Sequence, residues 1–112
     1  MTRNIIVMII MCLVSMTVLA NWGIVGAGNA TCKNWNSTNQ SGKTEILSWM
    51  AGFSSALNLE YSSENQPALK LKLLTYEYLT NEINNTCSNV QNSEKDISSI
   101  LLDILREFPR EK

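Results

Sequence analysis

Histidine is missing altogether from the 112 residues, and proline occurs only twice. Without imidazole the chain can build no Ser-His-Asp triad, no Cys-His pair and no histidine-ligated metal. Charge is also scarce: nine Lys and Arg against ten Asp and Glu give a formal net charge of -1. That balance leaves no basic patch for nucleic acid. The scarcity is most complete near the start, where no charged residue separates Arg3 from Lys33. Length and composition describe one small domain.

What fills the uncharged stretch is apolar. Ile5 to Ala20 reads IIVMIIMCLVSMTVLA. A basic residue, an apolar run and then small residues is the pattern of a secretory signal peptide. Three cuts fit the small-residue rule: after Ala20, after Ala27 and after Ala30. The cut after Ala30 is preferred because it leaves Thr31-Cys32 at the head of the polar body, dividing the chain into a leader, 1-30, and a domain, 31-112. The alternative is an uncleaved anchor, since the stretch from Asn4 to Thr31 exceeds the roughly 20 apolar residues that span a bilayer. Membrane attachment is expected only in that case. The lone Arg3 keeps the N-terminus inside, so the body faces outward either way. Lipoprotein processing is disfavoured, because Asn29-Ala30-Thr31 before Cys32 lacks the leucine and small residues it prefers.

Of three cysteines, Cys12 lies in the apolar run and leaves with it, so Cys32 and Cys87 remain. In an oxidising compartment two cysteines make one disulfide, and closing so long a loop stabilises a small domain by about 4 kcal/mol. The rival reading, two free thiols or a metal pair, lacks further ligands. No cofactor and no metal are expected.

Three segments repeat apolar residues at helical spacing. The first follows Ser41-Gly42 and places Ile46, Trp49, Met50, Phe53, Ala56 and Leu57 on one face. Gly52 lies within it, where glycine costs up to about 1 kcal/mol relative to alanine, so it is expected to mark close approach of a neighbouring helix. The second starts at Pro67, a residue suited to the first helical position, and buries Leu69, Leu73, Tyr76, Leu79, Ile83 and Cys87. The third opens on Ser93 and Asp96 as a capping arrangement, then runs through Ile97, Ile100, Leu101, Ile104, Leu105 and Phe108 to a stop at Pro109. A short turn at Lys33 to Asn36, with Trp35 pointing inward, completes the set. The expected fold is all-α, a small bundle of three to four helices closed by one disulfide.

Candidate chemistry is thin. Trp35, Trp49, Phe53, Tyr76 and Tyr78 read as core before they read as a ligand pocket. Glu60, Glu64, Glu77 and Glu82 are spread over a loop and a helix exterior, as solvated carboxylates are, and offer no acid-base pair. Three triplets of the expected mature region match the glycosylation sequon, at Asn36, Asn39 and Asn84, in a chain rich enough in asparagine to produce them by chance. No enzymatic activity is expected.

Cys32-Lys33-x-Trp35, then Trp49-Met50-x-Gly52-Phe53-x-Ser55-Ala56-x-Asn58, a long helix into Cys87 and a last amphipathic helix resemble the HdeA/HdeB-type proteins of bacterial periplasms. The likeness runs from about Thr31 to Phe108. It implies a soluble periplasmic protein, often a homodimer, that loosens in acid and covers unfolded envelope proteins with its apolar faces. On this chain Cys32 and Cys87 are the matching half-cystines, and the client or dimer surface falls around Trp49, Met50, Phe53, Ile100, Leu101 and Ile104. A similar pattern of small, exported, disulfide-closed helical proteins is that of the Rap and Tai immunity proteins. That resemblance implies instead one specific partner, a type VI secretion effector acting in the periplasm.

Overall fold

The computed structural model of the chain describes residues 26–112, so most of the expected leader, 1-30, lies outside the described residues. The described residues form four α-helices: α1, Cys32–Ser37; α2, Gln40–Ser63; α3, Tyr76–Cys87; and α4, Ile97–Arg106. Short 3-10 turns at Ala27–Asn29, Leu71–Leu73 and Val90–Asn92 join or precede them. The fold is a small all-α bundle, and a disulfide links Cys32 to Cys87.

Each early helix starts where a side chain can satisfy a free backbone amide. Thr31 and Asn34 form a reciprocal capping box on α1, with the Asn34 amide donating to Thr31 Oγ1 and the Thr31 amide to Asn34 Oδ1. Asn39 Oδ1 accepts from the Gly42 amide and opens α2. Beyond the end of α2, Asn65 turns the chain with φ of 56°, a left-handed conformation that asparagine tolerates better than most residues. The buried stripe of α2 is Ile46, Leu47, Met50 and Ser54, whose hydroxyl donates to the Met50 carbonyl. Ala56, expected on that face, is exposed.

The second helix starts nine residues later than its apolar pattern predicts, at Tyr76 instead of Pro67. Backbone groups of the intervening segment are already engaged elsewhere. Asn58 of α2 grips Leu69 at both ends, its Nδ2 donating to the Leu69 carbonyl at 3.0 Å and its Oδ1 accepting the Leu69 amide at 2.7 Å. The C-terminal tail pairs alongside: the Lys70 amide donates to the Pro109 carbonyl and the Glu111 amide to the Ala68 carbonyl. Thr75 then caps α3 by accepting the Tyr78 amide. Leu73 and Tyr76, expected inside, are therefore 50% and 44% exposed, and Leu74 takes the inner position.

α4 buries Ile97, Ile100, Leu101 and Leu105, with Phe108 beyond its end completing the face, as its pattern predicts. Its start differs from the expected Ser93 and Asp96 capping arrangement. Asp96 is the cap residue but makes no side-chain bond; the Ile97 amide instead donates to the carbonyl of Ala30, 2.8 Å away. The segments around Ala30 to Lys33 and Ser93 to Ile97 are thereby stitched together, with Cys32 and Lys33 also donating to Lys95 and Ser93 carbonyls.

Candidate binding surface

Cys32 and Trp35 lie one turn apart on α1, and Asn84 and Cys87 lie one turn apart on α3. The two helices are consequently joined twice, by the disulfide and by the Trp35 indole N–H donating to Asn84 Oδ1 at 2.8 Å. Trp35 is fully buried, so that hydrogen bond also satisfies a donor that water cannot reach. Lys43 places its ammonium 5.1 Å from the indole centroid.

The six apolar residues expected to meet a client divide into two groups. Met50, Ile100 and Leu101 are within the core, at most 2% exposed. Trp49, Phe53 and Ile104 sit at its margin, half-buried and packed against it. Trp49 and Phe53 stack with centroids 5.4 Å apart. Gly52, expected at a helix contact, faces open space: a Cβ built there meets no atom within 4 Å among the described residues. Close approach occurs at Gly28 instead, where a Cβ would collide with the Trp49 ring. The i, i+4 pattern that governs a helix says nothing of a glycine outside it, so spacing had no means of finding Gly28.

A second feature is a groove of about 400 Å³ where α3 meets α4. Tyr78 and Glu82 line one side; Lys95, Asp103, Ile104 and Glu107 line the other. Both ion pairs among the described residues meet here, Lys95 and Arg106 each reaching Asp103, at 3.1 and 3.2 Å. Tyr78, expected in the core, is 36% exposed and sets its ring edge against Phe108. Partial burial, helped by the nearby Glu82 charge, raises its phenol above the ordinary value. Among the described residues no group of three or more His, Cys, Asp or Glu is placed to hold a metal ion, and no helix is long and apolar enough to cross a membrane.

Sequence reasoning passed over the asparagines that do the positioning. Asn36 Nδ2 donates to the Cys87 carbonyl, Asn39 caps α2 and Asn84 receives the Trp35 indole, so each of these sequon asparagines has a structural partner. Asn58 and Asn84 did carry a signal. Asparagine is a weak helix former, and its presence amid the apolar pattern of a helix points to a side chain used for bonding.

Compared with family models, curated proteins and solved structures, the chain finds no significant match among any of them.

Proposed function

We propose that the chain is an exported, non-catalytic protein of the periplasm that binds unfolding proteins in acid, as HdeA/HdeB-like acid-stress chaperones do. The observation that supports this most is the division of the apolar face. Met50, Ile100 and Leu101 are closed inside, with Trp49, Phe53 and Ile104 at the rim. Binding confined to acid requires such a face to be covered at neutral pH and uncovered afterwards.

Net charge supplies the opening force. Only Arg3 precedes residue 26, so eight Lys and Arg face ten Asp and Glu in the described domain. Loss of the carboxylate charges in acid leaves the eight cations unopposed, and their mutual repulsion favours expansion. The two ion pairs lost on the way are exposed at Asp103 and worth about 0–1 kcal/mol each, so their loss adds little. The disulfide retains the loop from Cys32 to Cys87 in the opened chain, which shortens the search on refolding.

One observation favours a second reading. The groove between α3 and α4 carries Glu82 and Glu107 beside the Lys95–Asp103–Arg106 pairs, carboxylates suited to a folded, basic partner. An immunity protein against a type VI secretion effector would use a surface of this kind.

The test is aggregation of an acid-labile envelope protein at about pH 3 and about pH 7, on either side of the carboxylate range. Suppression in acid alone is expected. Absence of suppression at both pH values, with tight binding of one folded partner at neutral pH, overturns the chaperone reading in favour of the second.

A further inference from the structure

We propose that the chain is cut after Ala20, and that Gly26 to Ala30 belongs to the mature folded domain and not to the leader. This rests on the reading of the chain as exported. Three observations on the body itself require the segment. Ala30 supplies the carbonyl that accepts the Ile97 amide, and Ile97 is fully buried at the start of α4. A cut after Ala30 removes the natural partner of that donor, since Asp96 provides no side-chain cap. Gly28 is buried beneath the Trp49 ring in a space that admits no Cβ, a fit to the body that a discarded leader has no need of. Ala27 and Ala30 pack against the core, so a cut after either removes apolar cover from it.

Leader anatomy agrees. Export signals carry an apolar run of about 7–15 residues and then a small-residue cleavage site. Ile5 to Leu19 already reaches the upper end of that range, and Ala20 follows it at once, with Val18 two residues before it. The cuts after Ala27 and Ala30 extend the leader through Asn21 and Trp22, which belong neither to the apolar run nor to a small-residue motif.

The experiment is export of the full chain in a bacterial host, followed by N-terminal sequencing and intact mass of the product. A product beginning at Asn21 is expected. One beginning at Gly28 or Thr31 overturns the proposal while leaving the export reading intact. An uncut chain retained in the membrane fraction overturns the cleaved-leader reading and the cut together. Gly28→Val and Gly52→Val, made in the same exported chain, provide an independent readout. Gly28→Val should lower the melting temperature by at least about 5 °C, and Gly52→Val should leave it within about 2 °C. Equal melting temperatures for the wild type and Gly28→Val would mean that position 28 has no part in the mature fold.

Discussion

Replacing Cys32 and Cys87 together by alanine opens a loop whose ends are 55 residues apart in sequence. In the chain-entropy model a loop of that length stabilises the native state by about 4 kcal/mol, because it removes conformations from the unfolded chain. Both half-cystines are buried, Cys32 at 0% and Cys87 at 3% exposure, so alanine introduces no unpaired polar atom but adds a small cavity cost where the two sulfurs packed. A small domain is stable by roughly 0.05–0.15 kcal/mol per residue, or about 4–13 kcal/mol for one of this size. The link therefore accounts for between a third and nearly all of the margin. Urea unfolding followed by helical circular dichroism reads the effect directly. With a slope of about 1–2 kcal/mol/M, the midpoint should fall by roughly 2–4 M, or the domain should be unfolded without denaturant. Reduced wild-type protein, which keeps both sulfurs, should show a fall of this size and isolates the covalent link from the cavity cost. A midpoint within about 0.5 M of the oxidised protein, at unchanged slope, would refute the entropic reasoning and show that packing alone holds α1 on α3.

Three further outcomes follow from particular contacts. Asn58→Ala removes both bonds that fix Leu69 beside α2 and should cost about 2–3 kcal/mol in urea unfolding, with the protease sensitivity of the segment before Thr75 rising in parallel. Asn84→Ala leaves the buried Trp35 indole without an acceptor and should cost about 1–3 kcal/mol; in a Trp35→Phe background the same change should cost under about 0.5 kcal/mol, a double-mutant cycle that isolates the bond. The Tyr78 phenol is raised in the folded state, first by partial burial and then by Glu82, so its contribution is complete below the unfolded value of about 10 and is lost as pH climbs through the higher folded value. Thermal melts across that alkaline window should show a steeper decline for the wild type than for Tyr78→Phe, and identical slopes would refute the assignment.

The amphipathic helix at the C-terminus was legible from its residues alone, because Ile97, Ile100, Leu101 and Leu105 recur at 3.6-residue spacing and burial of one face is what that spacing encodes. Export-type cysteine arithmetic likewise sufficed to pair Cys32 with Cys87. Apolar spacing could not locate the start of α3. The residues after Pro67 have helical periodicity, but their backbone groups are taken by Asn58 and by the tail at Pro109 to Glu111, partners distant in sequence. The surface residues show the same division. Periodicity places Trp49, Met50 and Phe53 near one helical face, yet only packing decides that Met50 is sealed while the two aromatics remain at the rim.

Local chemistry thus determined the all-α class, the disulfide partners and the absence of imidazole chemistry, since each depends on residues near in sequence or on composition. Tertiary structure alone decided that the Ala30 carbonyl caps α4, that Gly28 and not Gly52 lies against a distant ring with no room for a Cβ, and that Asn36 and Asn84 join α1 to α3. Those are contacts between segments brought together by folding. A backbone carbonyl or an asparagine amide looks alike in sequence whether it meets water or a distant donor.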